Sequence, residues 1–154
     1  AEPGADSWID LIAAEVSSAT LNGEPLDLSG YREEDGIALP GLAADNELRV
    51  EALGRYMHTG EGLHRFVDPV DGAVYLYTQF ETADAKRMFA CFDQPDLKAR
   101  YQLTVTAPEG WEVVTNAAAD SVEGGVHRFP MSEIMSTYLV ALIAGPYAVW
   151  RDEH

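Results

Sequence analysis

The sequence predicts a mostly β protein, folded as an antiparallel sandwich or barrel with one short helix. Short runs rich in β-branched and aromatic residues recur along the 154 residues. Clusters of Gly, Pro, Asn and Asp separate these runs, which is the pattern of all-β sandwiches and barrels. One short stretch, at 84–89, combines helix-forming residues with a preceding cap, because Thr82 or Asp84 can accept hydrogen bonds from the free N–H groups.

The first third of the chain predicts a series of strands. Two of them, at 16–21 and 24–28, flank Asn22-Gly23, the pair that most strongly indicates a two-residue β-hairpin turn. Residues 54–71 contain several glycines, Pro69 and little periodicity, so we expect a long ordered loop there. The other predicted strands of this part are 8–11, 36–39 and 46–53.

The rest of the chain returns to strand patterns. A strand at 74–81 leads into the predicted helix at 84–89. The run Asp93-Gln94-Pro95-Asp96 is typical of a turn in which Asp93 bonds nearby backbone. Further strands are predicted at 101–107, 111–116, 125–129 and 138–144, the last with a pairing partner at 147–151.

Composition and charge restrict the expected partners. The chain has 26 acidic and 10 basic residues, a formal net charge of −16, so its surface repels phosphate backbones and anionic headgroups. Nucleic acid and membranes are therefore not expected partners, and the longest apolar run, 138–144, is far shorter than the roughly 20 residues that cross a bilayer. A single cysteine suits a reducing compartment, and the N-terminus lacks the pattern of a signal peptide, so we expect a cytoplasmic protein.

The predicted strand at 74–81 has two different faces, because successive side chains of a strand point to opposite sides. One face is typical of a core and ends at Phe80. The other ends in a polar amide and a carboxylate, Gln79 and Glu81, behind two tyrosines. Such a rim suits a charged ammonium group, since charge-assisted hydrogen bonds of this kind contribute roughly 1.5 to 3 kcal/mol each. The pattern alone leaves an ordinary solvent-facing strand edge as the other interpretation.

Other residue types with reactive side chains give weaker patterns. His58 and His64 lie in the glycine-rich segment with Glu61 between them, but their spacing does not place both rings on one helical turn as His-Glu-x-x-His does. We therefore expect no metal site in this chain. Cys91, between Ala90 and Phe92, is expected to be buried and inert, because an apolar setting raises the pKa of a thiol.

Two long motifs carry a family resemblance. Residues 77–87 are Tyr-Thr-Gln-Phe-Glu-Thr-Ala-Asp-Ala-Lys-Arg, and residues 91–99 are Cys-Phe-Asp-Gln-Pro-Asp-Leu-Lys-Ala. With Gly-Glu-Gly-Leu at 60–63, Phe-Val-Asp-Pro at 66–69 and Pro-Glu-Gly-Trp at 108–111, this region resembles the N-terminal domain of the aminopeptidase N family of zinc metallopeptidases. It is most similar to bacterial, actinomycete-type members, and the resemblance covers roughly residues 45–150.

The resemblance implies a β-saddle, so the expected fold is an antiparallel β-sandwich or saddle, with residues 1–154 forming one β domain. It also implies that this domain is a truncated N-terminal domain of a larger aminopeptidase whose catalytic domain is absent from the chain. In the family that domain supplies a His-Glu-x-x-His zinc helix, a further Glu ligand and a Gly-x-Met-x-Asn strand, and the sequence contains neither motif. The resemblance thus implies zinc in the parent enzyme, none bound by this chain, and no peptide hydrolysis by the chain alone.

The resemblance also assigns roles to the polar pair. Glu81 would bind the free α-ammonium group of a peptide substrate, and Gln79 would line the pocket for the first side chain. The partners are then the substrate N-terminus and the missing catalytic domain of the same polypeptide. The turn from strand to helix is tight, so we hypothesise that the peptide between Glu81 and Thr82 is strained or cis. In this it would resemble some members of the family.

Two further expectations concern assembly and the rival interpretation. Strands missing from a truncated domain would leave unpaired sheet edges, so we expect self-association through exposed edges. The rival is a stand-alone β-sandwich binding module without enzymatic activity, in which the tyrosines and the acidic surface form the ligand face.

Overall fold

The computed structural model of the chain describes residues 1–150 and 152. Within this part of the chain there are twelve strands and two short 3₁₀ helices. The strands are β1 (Ser7–Ile9), β2 (Glu15–Leu21), β3 (Glu24–Pro25), β4 (Ile37–Leu39), β5 (Leu48–Leu53), β6 (Gly62–Val67), β7 (Val74–Gln79), β8 (Thr104–Thr106), β9 (Glu112–Thr115), β10 (Ser121–Glu123), β11 (Val126–Arg128) and β12 (Leu142–Gly145). The first 3₁₀ helix spans Ala85–Arg87 and the second Thr137–Leu139.

The strands pair into four sheets across the described residues, with the orders β1-β4, β3-β2-β5, β6-β7-β12-β9 and β10-β11-β8. Each of these strand pairings is antiparallel. Every sheet is open at both sides within the described residues, so none is a closed barrel. The prediction of a mostly β, antiparallel fold is confirmed. No helix among the residues described here is long and apolar enough to cross a membrane.

The Asn22-Gly23 turn joins β2 to β3 as its sequence predicts. Leu21 pairs with Glu24, so two residues form the loop. Asn22 has a φ of 55° and Gly23 a φ of 85°, the left-handed values that a type I′ turn needs at both central positions. Asn is among the few side chains that accept such a value at low cost, and Gly has no Cβ to clash.

Two of the sheets face each other across a shared core. The four-stranded sheet contributes buried side chains from β7, β9 and β12, and the sheet of β8 and β11 covers them with Val105 and with Phe129, which directly follows β11. Sheet-on-sheet packing of this kind defines a sandwich. The buried members of this cluster are Leu76, Val113, Phe129, Leu142 and Ala144.

A separate cluster lies behind the end of β7. Its buried members are Phe80, Ala85, Cys91 and Val140, and Phe89 and Tyr101 pack against them. The rings of Phe80 and Phe89 meet edge to face with centroids 6.1 Å apart. This cluster therefore anchors both ends of the turn that carries Glu81, since Phe80 precedes the turn and Ala85 follows it. Strands β1, β2 and β4 supply buried side chains to another cluster, which includes Ile9, Leu21 and Ile37.

The structure corrects several predicted boundaries. Residues 54–71, expected to be a loop, contain β6, which pairs with β7 from Gly62 opposite Gln79 to Val67 opposite Val74. The pattern hid this strand because it is at the edge of its sheet, where polar side chains and glycine are tolerated. The strand β10 (Ser121–Glu123) was not predicted, and residues 147–150 form no strand, while residue 151 lies outside the described residues.

The predicted helix at 84–89 is shorter than expected, a single 3₁₀ turn over Ala85–Arg87. Asp84 stands at its N-cap but makes no side-chain capping bond, because its carboxylate pairs instead with the Arg87 guanidinium at 2.6 Å. The Lys86 carbonyl accepts a hydrogen bond from the Ile12 N–H at 2.7 Å, so a bond to another segment takes the place of a helical one. A tertiary hydrogen bond and a local ion pair thus accompany the end of this helix after one turn.

Candidate functional site

Strand β7 ends at Gln79, two residues before the predicted end, so Gln79 lies on the strand and Glu81 in the turn that follows it; both are on the solvent side, as the alternation predicts. Leu76 and Phe80 on the opposite face are 7% and 1% exposed, while Gln79 and Glu81 are both exposed. The two-residue period of a strand explains this result, because a buried face on one side forces the intervening side chains outward.

The Gln79 side chain is bonded to the backbone of Glu81. Its carboxamide oxygen accepts a hydrogen bond from the Glu81 N–H at 2.6 Å. This bond uses the acceptor end of the amide, so the NH₂ group of Gln79 remains a donor toward solvent. Gln79 therefore both supports the backbone of Glu81 and presents donors beside it.

The Glu81 carboxylate has no ion pair or hydrogen bond to any other side chain that the structure describes. The peptide joining Glu81 to Thr82 is cis, as hypothesised from the sequence. Behind it the Asp84 N–H donates to the Phe80 carbonyl at 3.0 Å and closes the turn. The result is an exposed carboxylate on a closed turn between two buried anchors, with its acceptor oxygens open to a ligand.

Strand β6 and the first 3₁₀ helix form the wall next to Gln79. Gly62, the partner of Gln79 in the ladder, has a φ of +69° and is buried. A Cβ at this position would lie 2.8 Å from Cγ of Met57 and 3.1 Å from both Cβ and Cδ of Arg87. Glycine is required here because the side chains of Met57 and Arg87 occupy the space that a Cβ atom would need. The same contact brings Arg87 against the strand that pairs with Gln79.

Charged groups around this wall are already paired. The Arg87 Nε donates to a carboxylate oxygen of Asp84 at 2.6 Å, and both side chains are 27% exposed. A hydrogen bond from the Thr59 side chain, then one from its own backbone, lower the pKa of the exposed Glu61, with smaller effects from Arg87 and His64. Glu61 is therefore engaged with its own loop, unlike Glu81.

The tyrosines and histidines of the region pack on one another. Tyr77 lies over His64 with ring centroids 4.8 Å apart and is 38% exposed, and Tyr75 meets Tyr147 edge to face at 4.9 Å. The rings of His58 and His64 are 6.4 Å apart. The Gly60 N–H donates to Nδ1 of His64 at 3.1 Å, so that nitrogen already has a partner. Across the described residues no group of three or more His, Cys, Asp or Glu side chains is placed to hold a metal ion.

Cys91 is buried, and burial raises the pKa of its thiol to about 12, with further contributions from Asp93 and Asp10. The predicted burial of Cys91 is confirmed, and the raised pKa agrees with the expectation of an unreactive thiol. Its neighbour Asp93 was expected to bond nearby backbone in a turn. Its carboxylate does accept the backbone N–H of Lys86, but Asp93 is 6% exposed and its other carboxylate oxygen accepts the hydroxyl of Thr137, 44 residues away. Sequence reasoning missed this residue, since a turn motif carries no signal of a distant partner.

Comparison with known proteins places the chain in a family. The sequence pattern of the Peptidase M1 N-terminal domain matches residues 16–139. The chain belongs to the peptidase M1 N-terminal domain family. This finding confirms the resemblance drawn from the motifs at 77–87 and 91–99.

Relatives of this M1 N-terminal domain are longer proteins. The chain is 53% identical over 148 residues to Aminopeptidase N of Streptomyces lividans, covering 96% of the chain and 17% of that relative. It is 45% identical over 156 residues to Aminopeptidase N of Acetobacter pasteurianus, covering 84% of the chain and 44% of the relative. A Leucyl aminopeptidase of Saccharolobus solfataricus is 31% identical over 150 residues, covering 94% of the chain and 19% of the relative. The chain thus spans under half the length of each of these relatives.

Proposed function

We propose that this chain is the substrate-anchoring domain of a zinc-dependent aminopeptidase that removes N-terminal residues from peptides. Residues 1–154 would form one β domain near the N-terminal end of that polypeptide. The observation that carries the proposal is the exposed Glu81 carboxylate, which has no partner among the described side chains although its backbone is held by Gln79. Names of the relatives support the reaction class, since all three are aminopeptidases.

An exopeptidase must recognise a free chain terminus and measure one residue from it. A fixed carboxylate does both, because it pairs with the α-ammonium group that only a chain terminus presents. In this proposal Glu81 accepts hydrogen bonds from that ammonium group, which contribute roughly 1.5 to 3 kcal/mol each. Gln79 lines the pocket for the first side chain, and its free NH₂ group can donate to the substrate.

Peptide cleavage itself requires groups that the described residues do not supply. These residues offer no three-ligand metal cluster, so they do not fit a zinc ion. We assign zinc and the reacting groups to a catalytic domain of the same polypeptide, and the chain alone is proposed to be inactive. Detectable hydrolysis of an aminopeptidase substrate by the purified 154-residue chain would contradict this assignment.

The proposal extends to partners and location. The net charge of −16 disfavours nucleic acid and anionic membranes, and we propose a cytoplasmic protein that meets peptides and its own catalytic domain. Recovery of the protein from the membrane or secreted fraction would contradict this location. Strand β9, at one side of the four-stranded sheet, pairs only with β12 among the described strands, whereas Met57 bonds to Leu63 and Arg65 of β6 at the other side. We propose self-association of the isolated chain through edges such as that of β9. Sedimentation equilibrium showing monomers alone would argue against it.

The decisive experiment replaces Glu81 with Gln in the full-length protein. The variant keeps the size of the side chain and loses its charge, so kcat/KM for free-amine substrates should fall roughly ten- to a hundredfold. Inhibition by an amino acid amide and by its analogue without the amine should differ in the wild type and converge in the variant.

Glu61→Gln is the matched control, since it removes a nearby exposed carboxylate that is engaged with its own loop. We expect its kcat/KM to stay within about threefold of wild type. Unchanged kinetics and unchanged inhibitor discrimination in Glu81→Gln would refute the anchoring role.

A further inference from the structure

Asp93 is a buried carboxylate that the proposed function of the site does not use. Its exposure is 6%, and no Lys, Arg or His side chain among the described residues forms an ion pair with it. A buried charge is costly unless hydrogen bonds surround it. The hydrogen-bonding partners of Asp93 therefore indicate its role in the fold.

Three segments of the chain meet at Asp93. One carboxylate oxygen accepts the Lys86 N–H at 3.1 Å, and the other accepts the Thr137 hydroxyl at 2.9 Å. The Asp93 N–H donates to the carboxylate of Asp10 at 3.1 Å. The Asp93 side chain thus joins the first and second 3₁₀ helices, and its backbone N–H adds a bond to the segment that follows β1.

The hydrogen bond from the Lys86 N–H to Asp93 affects the position of Glu81, because it helps to hold one end of the turn at 81–84. Residues 81–84 run between Phe80, 1% exposed, and Ala85, 0% exposed, so each end of the turn is buried. Strand pairing of β7 fixes the Phe80 end. The Ala85 end depends on Lys86, whose N–H is held by Asp93 and whose carbonyl is held by the Ile12 N–H at 2.7 Å.

We propose that Asp93 is the positioning residue for Glu81, since it holds the first 3₁₀ helix in place from the far side of the turn. This inference rests on the proposed function of Glu81 as the ammonium-binding group. Both carboxylate oxygens of Asp93 are used, each by a different segment, so the side chain fixes the helix relative to the core. A displacement of about 1 Å in such a support can cost a large factor in substrate binding or turnover.

Two substitutions separate the effect of the hydrogen bonds of Asp93 from the effect of its charge. In Asp93→Asn the amide oxygen can still accept the Lys86 N–H, and the NH₂ group can donate to the Thr137 oxygen. In Asp93→Ala both partners are left unpaired in a buried site. Asn should therefore rescue what Ala loses.

The test uses the full-length protein and two readouts. The first is amide hydrogen exchange in residues 81–87, which reports the turn whether or not Glu81 binds an amine. We expect exchange there to rise on the order of tenfold or more in Asp93→Ala and to stay within about threefold in Asp93→Asn. The second readout is KM for a free-amine substrate, expected to rise on the order of tenfold in Asp93→Ala, with a smaller change in kcat.

Asn46→Ala is the control for lost side-chain hydrogen bonds elsewhere in the chain. The carboxamide of Asn46 bonds the backbone of Ala43 and the side chain of Asn22, neither of which bonds to residues 81–87 or to the groups that hold them. Exchange in residues 81–87 and KM should match wild type. If Asp93→Ala does not fold, Thr137→Val removes one of the two bonds to the carboxylate and should give the same effects at smaller size.

A double variant distinguishes the two proposals. If Asp93 acts through Glu81, then Asp93→Ala raises KM no further in the Glu81→Gln background. An additive rise would overturn the positioning role, and so would wild-type exchange in residues 81–87 of both Asp93→Ala and Thr137→Val. Unchanged kinetics of Glu81→Gln would instead overturn the anchoring function alone, while the exchange data still decide whether Asp93 holds the turn.

Discussion

Gly62 is the point where strand β6 meets the first 3₁₀ helix, and Gly62→Ala tests that contact directly. Its φ of +69° lies in the left-handed region, where an L side chain costs about 1–2 kcal/mol. The added Cβ would also lie 2.8 Å from Met57 Cγ and 3.1 Å from two carbons of Arg87, so these side chains must move. Overpacking of this kind costs about 1–3 kcal/mol, which gives a total loss of about 2–5 kcal/mol.

Gly72→Ala supplies the matched comparison in the same hairpin. Gly72 has a φ of +75°, but no atom lies within 4 Å of the Cβ that it lacks. Its substitution should therefore cost the backbone term alone, about 1–2 kcal/mol. The difference between the two variants, about 1–3 kcal/mol, measures the contact of Gly62 with Met57 and Arg87.

Urea unfolding followed by circular dichroism gives both free energies, provided that the transition is two-state and the m-values agree. Adding Met57→Ala to Gly62→Ala should recover part of the loss, because it removes the nearest clash. Equal losses in Gly62→Ala and Gly72→Ala would refute the reasoning, since they would show that the contact contributes nothing beyond the backbone conformation.

Two other predictions follow from burial. Phe80→Ala should lower the free energy of unfolding by about 3–5 kcal/mol, whereas Phe66→Ala, at a position 46% exposed, should cost less than about 1 kcal/mol; similar losses in urea unfolding would contradict the assigned faces. The pKa of Cys91 is raised from 9.0 to about 12 by folding, so at pH 9 about a thousandth of the thiol should be ionised in the folded state and about half in the unfolded state. Alkylation by iodoacetamide at pH 9 should therefore be several hundredfold slower before denaturation than after it. The folded state keeps a proton that the unfolded state loses, so the contribution of Cys91 to stability is complete below pH 9 and declines toward pH 12, a decline that Cys91→Ser should reduce.

Local sequence signals predicted much of the fold because the interactions behind them are local. Asn22-Gly23 specifies a two-residue turn through its own backbone preferences, and the structure has that turn. The alternation at 74–81 predicted which side chains are buried, since a strand has a two-residue period whatever it pairs with. The motifs at 77–87 and 91–99 identified the family that the comparison confirms.

Predictions failed where a distant segment supplied the partner. Strand β6 was expected to be part of a loop, because its sequence shows no alternation and its ladder to β7 is a pairing between segments. The helix at 84–89 was expected to be longer, but the Lys86 carbonyl accepts a hydrogen bond from the distant Ile12 N–H, while Asp84 pairs locally with Arg87 instead of capping the helix. Propensity describes a segment by itself and contains no information on such competition.

The sequence by itself determined the class of fold, the solvent-facing placement of Gln79 and Glu81, and the family, all of which depend on residue order over short stretches. Only the tertiary structure decided how these residues are held. In the structure the Glu81 N–H donates to the Gln79 amide oxygen and Gly62 lies against Arg87. The buried Asp93 carboxylate accepts hydrogen bonds from the Lys86 N–H and the Thr137 hydroxyl. The physical reason is that a hydrogen bond or a close contact requires two groups at a set distance, and for segments up to 44 residues apart only the folded chain sets that distance.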